Sequence, residues 1–398
     1  MPTKMPPKPR SASKVKSADA KRGNAKYNSS RYNSSRYNSK KHGGGANNTA
    51  KKKGAARMVL IWLGLTICIL WSALRYLPAK YEAYRPLPEV IALIPFLIVP
   101  LIFICYASFR HSQIAAGIIS SLLIAVHIAW TAGYFIPFDT PLNDILALPK
   151  QTYEVSKSGN SSASSNGSSN GTVKIMTVNC RYGRADASAI MHYAIWENVD
   201  ILALQEINKS IIERLENHGL SHLMPYSAVG ETSQDDNGGV NGLWSRIQPV
   251  QSSRESVDLH AAKAPMMQIP VGSKTVKFAS VHPKSPRRGG ETWQYGIAHL
   301  ADFAENTDFD HPAVVAGDFN STLDHTTFRE TLARGFSDSS YEIHKGFNNT
   351  FPTSWVVVPK VLELDHIIHT AGIRATAVSS EKIMHTDHAA VIASLQTE

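Results

Sequence analysis

Polar side chains that can bind metal ions, move protons or contact phosphate occur in short clusters along the C-terminal half of the chain. Any one cluster is weak evidence, because an Asn or Asp at a strand end often forms only a turn or a helix cap. Their order along the chain carries the argument. Five clusters are followed by a sixth near the end of the chain, in the order Val178-Asn179-Cys180, Leu204-Gln205-Glu206, Ser280-Val281-His282-Pro283, Gly317-Asp318-Phe319-Asn320-Ser321, Leu364-Asp365-His366-Ile367 and Thr386-Asp387-His388.

Hydrolysis of a phosphoester is a reaction that uses these residue types. It requires charge neutralisation at the phosphoryl oxygens, a positioned water molecule and a stabilised leaving group. Glu206 offers a hard carboxylate suited to Mg²⁺ or Mn²⁺. Asn179 offers an amide that can bind metal-bound water or phosphate without adding repulsive charge.

The ordered clusters resemble the endonuclease/exonuclease/phosphatase family, which includes DNase I-like nucleases, apurinic endonucleases, sphingomyelinases and inositol polyphosphate phosphatases. The resemblance covers residues 172–398, and the segment from Asn241 to Arg246 is also similar to the family's central strand. Two positions depart from the pattern: Pro283 follows His282 where many members have Leu or Thr, and Thr386 stands where Ser is common. Neither departure removes a chemical group that the motif supplies.

The resemblance implies catalytic roles for five residues. Asp318 would orient the attacking water, and Asn320 would hold a phosphate oxygen. Asp365 would hold and polarise His388, making that imidazole either a base or a phosphate-stabilising imidazolium. His282 would assist the leaving group or contact phosphate.

The same resemblance implies a divalent cation as cofactor, Mg²⁺ with Mn²⁺ as an alternative. Asn179, Glu206 and Asp387 are the expected metal-binding residues. A catalytically silent relative would be expected to have lost at least one residue of this constellation, and none is missing.

The basic segment from Pro283 to Gly290 directly follows a candidate catalytic residue. It could place Lys284, Arg287 or Arg288 near a substrate phosphate. Alternatively, it is a solvated loop whose charges offset the acids of the metal site. Residues 172–398 hold 19 Lys/Arg against 26 Asp/Glu, a net charge of −7, which disfavours tight binding of duplex DNA.

Alternating strand and helix patterns position these clusters. Apolar, often β-branched runs predict the strands, and helical spacing predicts the helices between them, which together indicate an α/β domain. The resemblance implies a four-layered α/β sandwich of the DNase I-like type. The predicted strands are Val173–Val178, Ile201–Leu204, Val276–Val281, Ala313–Ala316, Leu362–Ile368 and Ala389–Ala393, and the predicted helices are Ala185–Glu197, Ile207–Asn217, Glu291–Asn306 and His325–Ala333.

The chain divides into four regions: a tail (1–57), an apolar region (58–138), a linker (139–171) and the endonuclease/exonuclease/phosphatase domain (172–398). The tail carries 16 Lys/Arg and one acid, lacks the apolar residues for a core and is expected to be disordered. Its Tyr-Asn-Ser-Ser-Arg repeat could contact bases or anionic lipids, or be solvated. The Ser/Gly/Asn-rich linker predicts a flexible tether that lets the domain stand off the membrane.

Three apolar runs, Met58–Leu74, Val90–Phe109 and Ser112–Phe138, contain no acid and no Lys, and predict three transmembrane helices. Lys51, Lys52, Lys53 and Arg57 precede the first run and are expected to stay in the cytoplasm. Three crossings then place the catalytic domain outside the cytoplasm.

The sequence therefore predicts a membrane-anchored, metal-dependent phosphoesterase. The bilayer and a phosphoester, which could be a lipid head group, a small molecule or nucleic acid, are its expected partners, and no obligate protein partner is inferred. Alternatives are a nuclease for extracytoplasmic DNA or RNA and a non-catalytic membrane interaction protein. Cys180 is interpreted as an apolar filler rather than a reactive thiol.

Overall fold

The computed structural model describes residues 44–137, 171–232, 237–305, 307–354 and 359–398. Most of the predicted tail, to residue 43, and the predicted linker, to residue 170, lie outside the described residues. Disorder of the tail up to residue 43 and flexibility of the linker therefore stay predictions. Residues 44–57, which were also expected to be disordered, are instead helical, because they form the start of a long helix that continues into the first apolar run.

The N-terminal region is built from helices. Helix α1 is one continuous helix of 30 residues. Two short helices and two 3₁₀ turns separate it from the last two helices. In chain order these elements are α1 (Gly44–Ala73), a 3₁₀ turn (Leu74–Tyr76), α2 (Ala79–Glu82), α3 (Leu87–Ile91), a second 3₁₀ turn (Ile94–Leu97), α4 (Ile98–Arg110) and α5 (Ile114–Ala132).

Two helical segments in the described part of the chain are long and apolar enough to cross a membrane, Lys51–Tyr76 and Ile114–Ala132. The second predicted span, Val90–Phe109, is not one long helix, because Pro88 and Pro95 each lie in the first turn of a new short element. Proline lacks a backbone N–H and is tolerated in a helix only near its start. Helix α4 is left with 13 residues, fewer than the roughly 20 that a straight crossing needs.

Two six-stranded sheets form the C-terminal domain. One has the order β11-β12-β1-β2-β4-β3 and the other β5-β6-β7-β8-β10-β9. The strands are β1 (Thr172–Asn179), β2 (Ile201–Ile207), β3 (Tyr226–Val229), β4 (Val240–Ser245), β5 (Gln251–Ser253), β6 (Met266–Val271), β7 (Lys274–Val281), β8 (Ala313–Asp318), β9 (Ser337–Asp338), β10 (Asp365–His369), β11 (Ile373–Lys382) and β12 (Ala389–Thr397).

Helices connect the strands and cover the outer faces of both sheets. They are α6 (Ala187–Trp196), α7 (Lys209–Asn217), α8 (Leu220–Leu223), α9 (Gly290–His299), a 3₁₀ turn (Leu300–Ala304), α10 (Thr326–Ala333) and α11 (Ser339–Glu342). The predicted helices coincide with α6, α7, α9 with its 3₁₀ turn, and α10, with shifts of a few residues at the ends.

Side-chain alternation along the central strands produces the layers. Ile175 of β1 points into a core shared with Phe278 of β7, between the sheets. Its neighbour Met176 points the other way, into a core shared with Ile190 of α6. A third core packs α9 and α10 on the outer face of the second sheet. The α/β fold with two packed sheets is thus confirmed.

All six strands predicted from apolar runs are present, although the predicted Leu362–Ile368 strand begins only at Asp365. Strands β3, β5, β6, β9 and β11 were not predicted from the sequence. Strand β11 shows the reason: it is an edge strand whose residues are mostly exposed or half-buried, so it has no apolar run.

The C-terminal domain lies directly against the ends of the N-terminal helices. The Arg75 guanidinium is buried, forms an ion pair with Asp324 and donates to the Leu323 carbonyl at 3.2 Å. His325 Nε2 lies 2.9 Å from the carbonyl oxygen of Pro88. The C-terminal domain therefore packs directly on the ends of the N-terminal helices, and its expected stand-off from a membrane stays a prediction.

Glu82, a fully buried carboxylate, is the centre of this docking contact. It accepts hydrogen bonds from the backbone N–H groups of Thr326 at 2.6 Å and Thr327 at 2.9 Å, and from the Thr327 hydroxyl at 2.7 Å. These N–H groups belong to the first two residues of α10. His325, the residue before α10, provides no side-chain cap. A carboxylate at this position also suits the positive end of the helix dipole. A residue of the segment between α1 and α4 thus caps a helix of the C-terminal domain.

Replacing Glu82 with Ala leaves these buried donors without their acceptor. We expect a destabilisation of about 1–3 kcal/mol, the cost of unpaired buried polar groups. Thermal unfolding of the full chain in detergent measures it as a lower Tm. Glu213→Ala is the control, because Glu213 is exposed on α7; equal Tm values for the two variants would contradict the capping role.

Candidate active site

Strand directions bring the predicted polar clusters to one edge of the sandwich. Strands β1 and β2 run parallel, as do β7 and β8, so the polar residues at their carboxyl ends lie together. Strand β10 is antiparallel to β8 and begins where β8 ends, with Asp365 opposite Asp318. One cavity of about 630 Å³ lies at this edge, and its walls include Asn179, Glu206, His282, Asp318, Asn320, Asp387 and His388.

Asp318 is the buried hub of the cavity. Its Oδ2 accepts a hydrogen bond from Asn179 Nδ2 at 2.9 Å. The same oxygen lies 3.4 Å from His282 Nε2 and 3.6 Å from His388 Nε2. The other ring nitrogen of His388, Nδ1, lies 2.8 Å from Asp365 Oδ2. Five of the predicted site residues therefore form one connected network.

The network stabilises opposite charges on two neighbouring side chains, His388 and Asp318. Burial alone would lower the pKa of His388, but the Asp365 and Asp318 carboxylates raise it to about 10. Burial alone would raise the pKa of Asp318, but the neighbouring His388 and His282 hold it well below its usual range. At neutral pH the centre therefore holds an imidazolium at His388 beside a carboxylate at Asp318.

Close approach of β7 and β8 depends on Gly317. A Cβ atom at this position would lie 1.9 Å from the Val281 carbonyl oxygen, so no other residue fits without displacing the backbone. Asn320 follows in a left-handed conformation, with φ of 50°. Its backbone N–H donates to Asp318 Oδ1 at 2.9 Å, and its Nδ2 donates to the Pro283 carbonyl at 3.3 Å. This turn fixes both residues at the cavity wall.

Glu206 is turned out of its strand. The register of β2 against β4 is interrupted between Leu204 and Ile207, and Glu206 has a φ of 50°, which is uncommon for a non-glycine residue. Its Oε2 accepts a hydrogen bond from the Tyr182 N–H at 2.8 Å. The carboxylate consequently faces the cavity instead of following the strand's alternation.

The predicted metal-binding residues line this same cavity. Asp387 contributes a half-exposed carboxylate 3.5 Å from Arg181 Nε. The Asn179 amide oxygen accepts from the Arg181 N–H at 2.8 Å and keeps a second lone pair. Carboxylate and amide oxygens in a partly open cavity fit Mg²⁺, which binds through few protein oxygens and retains water.

Two groups of acids and histidines among the described residues have ligand atoms close enough to hold a metal ion: Asp318, Asp365 and His388, and Asp338, Glu363 and His366. The first group differs from the predicted metal-binding residues. Its Asp365 and His388 already bond to each other, with His388 Nδ1 2.8 Å from Asp365 Oδ2. We therefore interpret this group as an acid–histidine network.

Of the three predicted substrate-binding residues, Arg287 and Arg288 line the cavity, whereas Lys284 is not among its lining residues. Arg288 donates to the Tyr182 hydroxyl and, at 3.0 Å, to Asn237 Oδ1. The Arg287 carbonyl accepts from Arg85, in the segment between α1 and α4, at 3.1 Å. The basic segment is thus held between the site and that segment.

Asn237 was not predicted. Its Nδ2 lies 2.9 Å from His282 Nε2 and donates to the Pro283 carbonyl at 3.0 Å, while its Oδ1 accepts from the Ser285 N–H at 3.2 Å. It precedes Gly238 and Gly239 in a polar loop, where an Asn ordinarily indicates only a turn. A second wall of the cavity, formed by Pro88, Glu89, Ala92 and Leu93, also carried no signal in the sequence.

Two other residues of the motif clusters, His366 and Cys180, are buried away from the cavity walls. His366 is buried, with Nδ1 2.8 Å from Asp338 Oδ2 and Nε2 3.0 Å from the Ser321 carbonyl. Burial raises the pKa of the Cys180 thiol far above its usual range, which favours the filler interpretation over a reactive thiolate.

The His366–Asp338 pair predicts a pH dependence of stability. Burial opposes the charged imidazole, but Asp338 raises the pKa of His366 to about 9. A raised pKa stabilises the fold fully below the unfolded value near 6.5, and this stabilisation is lost as pH rises through about 9. We expect Asp338→Asn to lower the stability by up to about 3 kcal/mol at pH 6 and by much less at pH 10.

Thermal unfolding at the two pH values measures this difference. Asp308→Asn is the matched control, since Asp308 forms the same kind of pair with His311 at an exposed position. A loss of stability in Asp338→Asn that is equal at both pH values would show that His366 is not charged in the folded protein.

Comparison with known proteins agrees with this architecture. Residues 176–388, just over half of the chain, match the profile described as the Endonuclease/Exonuclease/phosphatase family. No protein with a curated function matches the chain.

Similar solved structures include a humanized D. rerio TDP2 with 14 mutations, which is 16% identical, with a TM-score of 0.48, 57% of this chain and 100% of that chain covered. An endonuclease/exonuclease/phosphatase family protein from Bacteroides thetaiotaomicron is 14% identical, with a TM-score of 0.45 and coverages of 57% and 95%. Sphingomyelinase C from Streptomyces griseocarneus is 18% identical, with a TM-score of 0.40 and coverages of 56% and 99%. By its profile match over residues 176–388, the chain belongs to the endonuclease/exonuclease/phosphatase family.

Proposed function

We propose that this protein is a membrane-anchored, divalent-metal-dependent phosphoesterase. The family includes metal-dependent phosphoric ester hydrolases. The observation that carries the proposal is the connected network around Asp318, in which Asn179, His282 and His388 all approach one carboxylate oxygen. A buried carboxylate surrounded in this way is costly to build and is typical of a catalytic centre.

Asp318 orients the attacking water and takes up its proton as the new bond to phosphorus forms. Asn320 holds a phosphoryl oxygen. His388 acts as an imidazolium that neutralises charge on the phosphoryl group, because its raised pKa leaves no free base at neutral pH. His282 gives a proton to the oxygen that leaves when the P–O bond breaks.

Asn179, Glu206 and Asp387 would hold the divalent cation, with Mg²⁺ the expected ion and Mn²⁺ an alternative. When bound, such a cation polarises the phosphoryl group and stabilises developing negative charge. Arg287 and Arg288 would contact the substrate phosphate from the opposite wall, with Lys284 as a further candidate on the same segment.

The arrangement of the helices supports three crossings. One chamber against the catalytic domain is lined by residues at the C-terminal ends of α1 and α5 and by residues just before α4. Helices α1 and α5 therefore run toward the catalytic domain, and α4 runs away from it. Together the 3₁₀ turn and α4 form a mainly apolar stretch from Ile94 to Arg110, which a locally thinned bilayer can accommodate. With the basic residues 51–57 in the cytoplasm, the catalytic domain lies outside it.

This topology predicts which positions a membrane-impermeant maleimide reaches on intact cells. We expect labelling of a cysteine placed by Glu305→Cys, an exposed position in the catalytic domain, and no labelling of Ser11→Cys in the tail. Permeabilised cells, in which both variants should react, provide the control. The reverse pattern would place the catalytic domain in the cytoplasm.

Hydrolysis by the full chain in detergent tests the activity itself, with Mg²⁺ or Mn²⁺ and a panel of plasmid DNA, short RNA, sphingomyelin and phosphomonoesters. We expect turnover that chelation with EDTA abolishes and Mg²⁺ restores. Glu206→Ala and His388→Ala should each lower kcat by roughly 10²-fold or more, the typical contribution of such groups.

His311→Ala, an exposed histidine, is the matched control and should keep full activity. Turnover confined to DNA or RNA would favour a nuclease, which the net charge of −7 disfavours. Silence on every substrate by a folded, metal-binding protein would favour a non-catalytic membrane interaction protein.

A further inference from the structure

A second chamber lies between the membrane-proximal ends of the helices and the catalytic domain. Its volume is about 320 Å³, and its walls are mainly apolar and aromatic. Residues from α5, from the turn before α4 and from two loops of the catalytic domain line it: Trp130, Tyr134, Ile94, Phe96, Leu323 and Val361.

This chamber adjoins the catalytic cavity. Ala92 and Leu362 line both spaces, so they form the boundary between the site around Asp318 and the apolar chamber. A ligand whose phosphate lies beside Asp318 therefore has an apolar space immediately next to it. A hydrolase for purely polar phosphoesters has no use for such a space.

The chamber reaches the apolar outer face of the helices at Phe96. This side chain lines the chamber and is still 38% exposed. Nearby, Val99 of α4 and Ile128 of α5 are exposed by 52% and 54%, as expected for side chains that face lipid. An amphiphile can thus enter sideways from the bilayer without passing through water.

A buried polar group lies in the wall of the chamber. Glu363 is 5% exposed, and its Oε2 accepts from the Tyr134 hydroxyl at 2.9 Å. Its carboxylate also interacts with Ser340 on the side of the catalytic domain. The chamber therefore offers one polar position, beside its apolar walls, to a hydroxyl or amide group near the phosphate of a lipid.

We propose that the substrate is a membrane phospholipid whose phosphate occupies the site around Asp318 while one hydrocarbon chain occupies the chamber between the helices and the catalytic domain. The volume is at the lower end of the roughly 300–1,000 Å³ found for ligand pockets, which fits one chain and not two. This inference rests on the proposed phosphoesterase function, which supplies the reaction.

Filling the chamber tests the proposal. Thr131 lines it, and Thr131→Trp would occupy the space; Ile98→Trp fills it from the opposite wall. Ile128→Trp and Val99→Trp are matched controls on the same helices, at positions that face outward. None of these residues belongs to the catalytic network.

Two substrates are compared with the full chain in detergent micelles: sphingomyelin, which has long chains, and bis(p-nitrophenyl) phosphate, which has none. We expect both filled variants to lose at least tenfold in kcat/KM on sphingomyelin while turnover of the soluble diester stays within twofold of wild type. The two outward variants should match wild type on both substrates. Unchanged sphingomyelin turnover in the filled variants would overturn the proposal.

A binding measurement separates failure of this inference from failure of the proposed function. A phospholipid with a photoactivatable diazirine near its acyl terminus is cross-linked to the wild-type chain in lipid nanodiscs. Labelled peptides should contain Ile94–Ile98 or Trp130–Tyr134, and Thr131→Trp should lose them. Labelling without hydrolysis would refute the proposed phosphoesterase function and support the lipid site. Hydrolysis without labelling of these peptides would support the phosphoesterase function and refute the lipid site.

Discussion

The hydrogen bond from Asn179 to Asp318 is the contact on which the arrangement of the site depends, because it joins the two sheets at their catalytic edge. A buried carboxylate is costly unless donors surround it, and no single strand can provide enough donors. The donors come from several strands, because β1 and β8 end at the same edge of the sandwich and the start of β10 pairs with the end of β8. Gly317 permits the close approach of β7 that brings His282 to the same carboxylate.

The segment between α1 and α4, residues 74–97, helps to form the candidate active site. Residues 88–93 form one wall of the cavity, and Glu82 caps a helix that begins directly after the site loop. Displacing this segment would therefore change both the shape of the cavity and the stability of α10. This short stretch of chain therefore contributes both to a wall of the candidate site and to the stability of the helix that follows the site loop.

The sequence predicts the site better than it predicts the fold around it. Asn179, His282, Asp318, Asp365 and His388 each follow or precede an apolar run, and that local pattern suffices to place them at strand ends. Asn237 and the wall at Pro88 have no such pattern, since their roles arise from contacts across 45 and 237 residues of chain. Likewise, the broken second apolar run looks continuous by hydropathy, while its prolines divide it into short elements.

The charges of the centre limit which chemistry it can perform. With His388 held as an imidazolium, its positive charge offsets part of the negative charge of the neighbouring carboxylates Asp318 and Asp365. An approaching phosphate would still meet net repulsion from these groups and from Glu206 and Asp387. In the proposed enzyme, Arg287, Arg288 and a divalent cation would supply the positive charge that reverses this balance. Phosphate binding and metal binding should therefore reinforce each other, and the site should discriminate against polyanions that bring more negative charge than these cations neutralise.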